Sequence, residues 1–469
     1  MKRRQLLRTL AATGTLPALG PAAVTAKAAS PTPPPGARVP QDPPAPPGWR
    51  NWSGLQSCRP TRWLAPAQEA ELAAAMRDGV APLRCVGAGH SFSGLVPTEG
   101  TLISIDRLNS VIAIDPVARV ASFGAGIRIG AAAQALHQAG LAFANQPDID
   151  VQTLAGALAT ATHGTGANLT AMHGDVLGLT LVTPRGERLA CSASQRPDVF
   201  AAARVALGAL GAITKVSVRV RARFALHRQV RLMKVHDLLE QADALARDHR
   251  HFEFYLLPFT GYGAVITLDE VAGGPQPRQP SKDENVLADL RRLRDLLGRF
   301  PGARRWVAQR LIDADMREAA VDWSPRLLST IRPTRFNESE FHVPRAQGLA
   351  CVREVLAALE RRNEVFFPLE FRYVAADDAW LSPFHGRASC SIAVHAAHDE
   401  PWDYLVRDIG AIFRRHQGRP HWGKLHDFST AELRAAYPRW DDFQRVRREL
   451  DPQGRMLNPY LARLFGVAA

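Results

Sequence analysis

Cysteine is scarce in this sequence, and its spacing excludes two common kinds of site. The 469 residues include five cysteines, and no two of them form a C-x-x-C pair. A disulfide framework or a cysteine zinc site needs more cysteines at closer spacing. We therefore predict neither, expect no bound metal, and interpret the cysteines as small buried side chains with at most one disulfide.

Long apolar runs and basic segments rich in aromatic residues are also missing. No stretch has the length and apolarity of a membrane span, so no transmembrane anchor is predicted. The formal net charge is +13, which would attract polyanions, but no basic run is interleaved with aromatic side chains. We predict no nucleic-acid partner and interpret the excess arginines as a solvated surface.

The first 28 residues have the features of an export signal. Arg3 and Arg4 precede a weakly apolar Ala/Leu stretch, and Ala26-Lys27-Ala28 offers the small-x-small pattern of a cleavage site. The paired arginines resemble a twin-arginine signal, which exports folded proteins. We expect a periplasmic or extracellular protein; a disordered basic tail is the alternative.

Two folded regions are predicted after this signal. Residues 29–49 contain closely spaced prolines, which predict an extended linker. Residues 50–225 alternate short apolar strands, such as 83–86, with helical segments, which is typical of an α+β domain and not of a doubly wound dinucleotide fold. Residues 226–469 predict a second α+β domain that caps the first.

Helical periodicity marks several amphipathic segments. The predicted helices cover residues 67–78, 130–139, 235–247, 284–300 and 346–362. In the helix over 284–300 the leucines share one side, and we expect four arginines on the solvated side: Arg291, Arg292, Arg294 and Arg299. Attachment of this helix to a membrane surface is the minor alternative.

A glycine loop after the strand 83–86 is the first candidate ligand site. Small residues there let backbone N–H groups approach and cradle a pyrophosphate. A simple tight turn is the alternative. The segment consists of Val86, Gly87, Ala88, Gly89, His90, Ser91 and Phe92.

A second stretch of small residues covers positions 153–166. Its threonines can hydrogen-bond a flat ligand, and its small side chains permit close backbone approach. A close-packed Ala/Gly helix would have the same composition. The members assigned to ligand binding are Gly156, Thr160, Thr162, His163, Gly164 and Gly166.

In order along the chain, these stretches resemble the vanillyl-alcohol-oxidase superfamily of FAD enzymes. Within it the similarity is to the aldonolactone and alditol oxidases, and it runs from Trp52 to Gly466. It implies a two-domain PCMH-type FAD-binding fold with an α+β substrate (cap) domain of the D-arabinono-1,4-lactone oxidase type. It also implies that Gly87 and Gly89 bind the pyrophosphate and that His90 is bonded to the flavin 8α carbon. Ile213 matches the segment that binds the adenine end.

The resemblance extends to the second region. Glu370 and Arg372 match the residues that face the substrate over the flavin, and His395 matches a further pocket residue. Lys424, in Pro-His-Trp-Gly-Lys, matches the lysine beside the flavin pyrimidine ring. The C-terminal segment, with Leu-Asp-Pro-x-Gly-x-Met-Leu-Asn-Pro over 450–459, is also similar and is expected to return to the flavin.

Alcohol oxidation requires the residue types found here. A hydride leaves carbon for flavin N5 while a proton leaves oxygen, and a carboxylate beside a cation can orient the hydroxyl and accept that proton. Glu370 and Arg372 are two apart and face the same side of a strand. Lys424 would stabilise the anionic reduced flavin. A structural salt bridge between Glu370 and Arg372 is the alternative.

Two positions depart from the alditol-oxidase pattern. Ala397 stands where that enzyme has a substrate-contacting Thr, and Ala157 lies in a region where it has a Ser over the flavin. A pocket with fewer hydroxyls favours a less polar or differently shaped substrate. Alditol specificity is therefore not carried over to this chain.

The leading prediction is an FAD-linked oxidase of a sugar lactone or polyol, with O₂ as acceptor and H₂O₂ as product. A dehydrogenase on the same scaffold, passing electrons to a cytochrome or quinone, is the first alternative. A non-catalytic protein that binds flavin and sugar is the second, although the intact Glu370, Arg372 and Lys424 argue against it.

Overall fold

The chain forms three main sheets, of which two lie in the N-terminal region and one in the C-terminal region. The computed structural model describes residues 48–277 and 283–467. The predicted signal over 1–28 and almost all of the predicted linker lie outside the described residues. Within the described ranges no helix is both long and apolar enough to cross a membrane.

The N-terminal region contains a small parallel sheet and a larger antiparallel one. A short pair, β1 (Trp49–Arg50) and β2 (Ser57–Cys58), comes first. The parallel sheet has the order β3-β5-β4, with β3 (Arg62–Leu64), β4 (Leu83–Val86) and β5 (Thr101–Ser104). The antiparallel sheet has the order β10-β9-β11-β7-β6, with β6 (Val111–Asp115), β7 (Val120–Gly124), β9 (Val176–Val182), β10 (Arg188–Ser192) and β11 (Ala212–Arg219). A further short pair joins β8 (Leu141–Ala142) to β12 (Arg221–Ala222).

Four α-helices connect these strands. They are α1 (Glu69–Asp78), α2 (Ile129–Gln138), α3 (Leu154–Ala159) and α4 (Pro197–Ala203). The first two confirm the helices predicted over 67–78 and 130–139, with bounds shifted by one or two residues. Thr153 caps α3 by accepting the N–H of Gly156. The helix α3 ends at Ala159, because Ala161 has φ +60°, a left-handed conformation that cannot continue an α-helix. The alternative of a continuous Ala/Gly helix is therefore wrong for residues 160–166.

An eight-stranded sheet dominates the C-terminal region. Its order is β16-β13-β15-β14-β18-β19-β17-β20, and all neighbours are antiparallel. The strands are β13 (Ala225–Lys234), β14 (His251–Leu257), β15 (Tyr262–Val271), β16 (Arg317–Trp323), β17 (Phe336–Pro344), β18 (Leu369–Val374), β19 (Ser389–Ala397) and β20 (Arg419–Pro420). The mixture of helices and sheets confirms the α+β class.

One face of this sheet is apolar and is covered by helices. Phe254 on β14 stacks on Phe371 of β18 with ring centroids 4.5 Å apart. The helices that pack against this face, α5 (Val235–Asp248) and α9 (Gly348–Leu359), bury Leu238 and Val355 in the same core. The remaining helices are α6 (Asp283–Leu297), α7 (Pro301–Leu311), α8 (Ser324–Leu328), α10 (Gly410–Arg415), α11 (Thr430–Ala436), α12 (Trp440–Leu450) and α13 (Pro459–Phe465). Short 3₁₀ turns cover Met172–Asp175 and Arg345–Gln347, and a π-helical turn, Leu405–Ile409, precedes α10.

The helix predicted over 284–300 is shorter than expected. It ends at Leu297, and a second helix begins at Pro301, a residue that favours the first helical turn. The prediction of a solvated side is wrong for Arg294, whose guanidinium makes two hydrogen bonds to Glu400 at 2.8 and 2.9 Å and is largely buried. The five cysteines are free thiols, of which Cys191, Cys351 and Cys390 are buried.

The C-terminal segment returns to the N-terminal region. Asn458 donates to the carbonyls of Gly94 and Pro97, at 2.8 Å each. Arg455 donates to the carbonyl of Gly79 at 2.8 Å. One hydrophobic core contains residues of both regions, from Leu95 to Phe465. The boundary near residue 225 between two domains stays a prediction.

Candidate active site

The glycine loop after β4 has a backbone that requires glycine. A Cβ on Gly87 would lie 2.1 Å from Thr153 Oγ1, closer than two heavy atoms can approach without a bond. Gly89 has φ +68°, in the left-handed region that favours glycine. Among the described residues, the N–H groups of Gly87, Ala88, Gly89 and His90 meet no acceptor. These free donors fit an anionic ligand.

The second predicted stretch lies beside the first and beside the eight-stranded sheet. The side chain of Thr153, against which Gly87 packs, also caps the helix that carries Gly156. At the other end Gly166 donates to the carbonyl of Tyr373 at 2.8 Å and bridges to Val374. The stretch thus connects the glycine loop to β18.

The side chains of the second stretch are already engaged in local bonds. Thr160 Oγ1 donates to the carbonyl of Gly156 at 3.2 Å, and Thr162 Oγ1 donates to Gln152 Oε1 at 3.1 Å. A Cβ on Gly164 would lie 2.3 Å from the carbonyl oxygen of Gln146. In the described chain the amides of His163, Gly164 and Thr165 donate to no partner. Backbone donors, more than threonine hydroxyls, are available to a ligand here.

His90 lies where the glycine loop meets the segment that contains Lys424. The N–H of Phe92 donates to the carbonyl of Gly423 at 2.6 Å. The Lys424 ammonium lies 5.1 Å from the centre of the Phe92 ring. The His90 ring stacks on Trp52 with centroids 5.3 Å apart. Two segments more than 300 residues apart in sequence therefore form one site.

The imidazole of His90 is neutral at neutral pH. Burial is the main cause, and the positive charges of Lys424 and Arg128 add to it; together they lower the pKa of His90 to about 4. A cleft of about 390 Å³ opens beside the ring. It is lined by Ala88, His90, Arg128, Gly130, Asp150 and Val151.

The face of the eight-stranded sheet opposite its helices is polar across four strands. Tyr255, Glu370, Ala393 and Glu340 lie opposite one another on β14, β18, β19 and β17, so their side chains share this face. The adjacent rows contribute the other polar groups of the face, namely Glu253, Arg372, Ser391, His342, His395 and Glu338. Ala393 lies between Glu370 and Glu340 on this face, and its small methyl group leaves space between the two carboxylates.

Glu370 and Arg372 form an ion pair at the centre of this face. Arg372 Nη2 contacts Glu370 Oε1, and its Nε donates to Glu253 Oε2 at 2.7 Å. Tyr255 O–H donates to the same Glu370 Oε1 at 3.0 Å. Burial, only partly offset by Arg372, and the nearby charge of Glu370 raise the pKa of Glu253. The salt bridge predicted as the alternative is present, and Glu370 is buried on the polar face of the sheet.

Lys424 is held by two acids of β17. Its ammonium contacts Glu338 Oε2 and lies 3.8 Å from Glu340 Oε2. Burial favours the neutral amine, but the charges of Glu338 and Glu340 outweigh it and raise the pKa of Lys424. His395 Nε2 lies 3.7 Å from Glu338 Oε1, so Glu338 links two residues that the sequence assigned to catalysis.

A buried hydrogen-bond network lies beside Lys424. His163 Nε2 and Ser391 Oγ bond to Glu340 Oε1 at 2.8 and 2.5 Å, and Ser391 Oγ also bonds to His342 Nδ1 at 2.8 Å. Burial opposes ionisation of Glu340, yet His163 and His421 lower its pKa well below the usual range. Donor atoms of His163, Glu340 and His342 lie within 4.8 Å of one another, close enough for a metal ion. All three residues are already engaged in the hydrogen bonds of this network.

The residues present fit a dinucleotide with a flat polar ring. Gln146 is buried, and in the described chain neither its amide nitrogen nor its amide oxygen has a hydrogen-bond partner. Such an orphaned donor and acceptor are complementary to a ring edge that has both functions. The free amides of the two small-residue stretches fit a pyrophosphate. Gly87, Gly89, His163 and Gly164 would hold that group.

The adenine-end prediction falls on the five-stranded sheet. Ile213 pairs with Leu181 next to a bulge in β11, and Gly211 before it has φ +134°. The carbonyl of Thr214 accepts the N–H of Ala125, whose own carbonyl accepts the N–H of Ala155. Ile213 is thus connected through the backbone to α3.

Several polar residues on or beside the polar face of the eight-stranded sheet were not predicted from the sequence. They are Asp148, Glu253, Tyr255, Arg332, Glu338 and Glu340. Four of them lie on β14 and β17, whereas Asp148 and Arg332 lie in loops, so no short motif contains them all. One signal was available: polar residues alternate at Glu338, Glu340 and His342, and a polar period of two marks a strand with one ligand-facing side.

Comparison with known proteins agrees with this arrangement. The D-arabinono-1,4-lactone oxidase family model matches residues 216–464, and a model of the FAD binding domain matches residues 60–192. The L-gulono-1,4-lactone dehydrogenase of Mycobacterium tuberculosis is 34% identical over 428 residues, which are 90% of this chain and 99% of that protein.

Two further relatives and one solved structure complete the picture. The Bos taurus L-gulonolactone oxidase is 28% identical, covering 89% of this chain and 98% of that one. The alditol oxidase of a Streptomyces species is 29% identical, covering 88% and 98%. A solvent-stable cholesterol oxidase shares the fold, with TM-score 0.73 and 18% identity over 89% of this chain and 97% of that chain. These matches confirm the resemblance and the PCMH-type fold predicted from the sequence, and this chain belongs to the D-arabinono-1,4-lactone oxidase family of FAD-dependent oxidoreductases.

Proposed function

We propose that this protein oxidises a CH–OH group of an aldono-1,4-lactone or an alditol. The observation that carries the proposal is the arrangement of Glu370. One oxygen of this carboxylate is held by Arg372 and Tyr255, while no described residue bonds to Oε2. A fixed carboxylate with one oxygen that meets no described donor, on the polar face of the sheet, is suited to accept a proton from a hydroxyl group.

Each catalytic residue has a distinct task in this proposal. Glu370 accepts the hydroxyl proton at Oε2, and Arg372 holds that carboxylate in its orientation through the ion pair. His395, which lies against Phe336 with ring centroids 4.9 Å apart, borders the substrate pocket. Lys424 provides a positive charge at the position where negative charge develops during reduction.

The cofactor is FAD, and we propose a covalent bond to it through His90. FAD, when bound, supplies the two-electron acceptor for the hydride. The proposal is supported by a neutral imidazole, whose nitrogen lone pair is free to react, directly after the glycine loop. Val86, Ala88, Ser91 and Phe92 shape this loop, and Thr160 and Thr162 shape the second stretch.

The substrate class is proposed from the relatives and from the pocket. The relatives are named for gulonolactone, arabinonolactone and alditols. Beside His395 the pocket has aromatic rings and a methyl group: Phe336 lies 5.9 Å from Phe367, and Ala397 pairs with Phe336. Because ring surfaces and few hydroxyls favour a compact ring over an open polyol, a lactone is the preferred substrate.

The electron acceptor we propose is O₂, with H₂O₂ as the product. A dehydrogenase that uses a cytochrome or quinone is the second candidate, because the relative with 34% identity is named a dehydrogenase. Turnover with O₂ as the only acceptor, compared with turnover with cytochrome c or a quinone under argon, separates the two.

The proposed reaction is tested by anaerobic titration of the yellow protein. A panel of aldono-1,4-lactones, the corresponding free acids and alditols is mixed with the holoenzyme, and flavin absorbance is followed. A member of the lactone or alditol group should bleach the flavin with one equivalent, and a Glu370→Gln variant should bleach far more slowly. If no member of the panel reduces the flavin, the proposed substrate class is rejected.

We also propose export through the twin-arginine route, on the basis of Arg3, Arg4 and the site at 26–28. Replacing both arginines with lysine should retain the protein in the cytoplasm, because the receptor of this route reads the arginine pair. Fractionation of cells that express each form is the measurement. Equal export of both forms would contradict the proposal.

A further inference from the structure

The hydroxyl group of Tyr255 forms hydrogen bonds with three charged side chains. Its hydroxyl donates to Glu370 Oε1 at 3.0 Å and accepts from Arg332 Nη2 and Arg372 Nη2, each at 3.4 Å. A phenol hydroxyl has one proton and two lone pairs. The two arginine N–H groups donate to the lone pairs, so the hydroxyl proton points to the one remaining partner, which is the carboxylate. Arg332 and Arg372 therefore direct the Tyr255 proton to Glu370.

This hydroxyl stays protonated over the working range of pH. Burial is the main cause, and the carboxylates of Glu370 and Glu253 add to it; they raise the pKa of Tyr255 well above its usual range. A hydrogen bond from a neutral phenol to a carboxylate stabilises the ionised carboxylate. It also restricts the rotation of the Glu370 carboxylate.

Arg332 is in turn held by a loop of the N-terminal region. Its Nε and Nη2 both donate to Asp148 Oδ2, at 2.9 and 2.6 Å. Thr330 donates to Asp148 twice, from its hydroxyl to Oδ1 at 2.7 Å and from its N–H to the carbonyl at 2.6 Å. Burial opposes ionisation of Asp148, but the charges of Arg332 and Arg372 outweigh it and lower its pKa.

We propose that Asp148, Arg332 and Tyr255 form a positioning chain that holds Glu370 by its Oε1 atom and leaves Oε2 directed toward the substrate hydroxyl. This inference rests on the proposed function, in which Glu370 accepts the substrate proton. None of the three residues exchanges a proton in the reaction. The hydroxyl proton passes from substrate oxygen to Glu370 Oε2, the hydride passes from carbon to the flavin, and Tyr255 keeps its own proton.

The first test compares two tyrosine substitutions on neighbouring strands. Tyr255→Phe removes the hydrogen bond to Glu370. Tyr373→Phe is the matched control, because its hydroxyl also donates to a carboxylate, Asp243 Oδ1 at 3.0 Å, but from β18 on the apolar face of the sheet. The measurement is the pH profile of anaerobic flavin reduction by a saturating lactone, with FAD content and Tm recorded for each holoenzyme.

The expected result is a displaced acidic limb in one variant only. Loss of a donor to a buried carboxylate favours its protonated form, so the acidic limb of Tyr255→Phe should move to higher pH by about one unit or more. Tyr373→Phe should keep the wild-type profile. An unchanged profile in Tyr255→Phe, or equal displacement in both variants, overturns the proposal.

The second test addresses Arg332 and Asp148, the outer residues of the positioning chain. It also tests the proposal if Tyr255→Phe fails to hold FAD. Arg332→Lys keeps the positive charge but loses the planar donor, and Asp148→Asn loses the anchor of Arg332. Both should displace the acidic limb in the same direction as Tyr255→Phe, by less. If neither does, Asp148 and Arg332 have no part in positioning Glu370, and the proposed chain is rejected.

Glu370→Gln separates this inference from the proposed function. If Glu370→Gln reduces the flavin nearly as fast as wild type, Glu370 is not the base and the proposed function fails. If Glu370→Gln is slow while the profile of Tyr255→Phe is unchanged, the proposed function stands and only the positioning chain is overturned.

Discussion

The glycine loop and the polar face of the large sheet are two parts of the candidate site, and they offer different chemical groups to a ligand. The loop offers backbone N–H groups, and its glycines are needed because Thr153 leaves no space at Gly87 and because Gly89 has a positive φ. The sheet offers side chains, contributed by four strands that lie between residues 251 and 397 of the sequence.

The difference explains which kind of site a sequence can reveal. A backbone cradle is continuous in the chain, so its chemistry appears as a motif of neighbouring small residues. A side-chain site depends on strand register, because a displacement by one residue turns every side chain to the other face. The following predictions test whether the two regions are as separate in function as they are in construction.

Glu370→Gln should have the largest effect and should leave the loop untouched. Removing a positioned acid–base group costs about 10²–10⁴-fold in rate. FAD content should stay at the wild-type level, because Glu370 lies on the sheet. Stopped-flow reduction and the absorbance ratio of flavin to protein measure the two quantities. A loss of FAD in this variant would show that the sheet also holds the cofactor.

Gly87→Ala should produce the reverse pattern. The new Cβ would meet Thr153 Oγ1 at 2.1 Å, and relief of such overpacking weakens the cradle by about 1–3 kcal/mol, or roughly 5–150-fold in FAD affinity. Gly302→Ala is the matched control, since nothing lies within 4 Å of its Cβ. Isothermal titration with FAD compares the two substitutions in the His90→Ala background, where binding is reversible. Equal affinities would remove Gly87 from the cradle.

Glu338→Gln should raise the flavin midpoint potential. Lys424 then loses one of its two acidic neighbours, and its less compensated charge favours the anionic reduced flavin. We expect a rise of about 30 mV or more, which is about 1.4 kcal/mol for a two-electron couple. Lys424→Met should change the potential in the opposite direction. Changes of the same sign would contradict the assignment of Lys424 to the flavin.

His90→Ala should fold and bind FAD reversibly, with a several-fold loss of activity. The glycine loop remains, so the pyrophosphate is still held, but the proposed bond to the cofactor is gone. Acid precipitation is the measurement, because the yellow colour should stay with the wild-type pellet and leave with the supernatant of the variant. Colour that leaves the wild-type pellet as well would refute the covalent bond.

The smallest effect is expected for the pH dependence of flavin attachment. The neutral imidazole is the reactive form, and the pKa of His90 is lowered to about 4 by burial, Lys424 and Arg128. Attachment of FAD to FAD-free protein should therefore keep a constant rate from pH 8 to about pH 5 and fall only nearer pH 4. An ordinary histidine, with a pKa of about 6.5, would lose roughly 30-fold by pH 5. Such a loss would contradict a neutral His90 in the folded site.

Much of the secondary structure could be predicted, because the pattern of neighbouring residues decides where a short strand or helix begins and ends. The strand 83–86 is confirmed, since its apolar run is bounded by Pro82 and the glycine loop. The end of α6 at Leu297 was missed, although Gly298 follows it directly and Pro301 begins the next helix. Arg294 was assigned to solvent because periodicity describes one helix and not the Glu400 that reaches it from another segment.

The sequence by itself determined the cradle and the identity of the central pair. Gly87 and Gly89 stand out as small residues directly after a strand, whereas the roles of His90, Glu370, Arg372 and Lys424 were assigned through the resemblance to known FAD enzymes. Only the tertiary structure decided that Tyr255 and Glu370 are neighbours, that Glu338 joins Lys424 to His395, and that Asp148 reaches Arg332. The physical reason is register: these contacts exist only after strands and loops distant in sequence have paired, and a linear pattern contains no record of which strands will lie side by side.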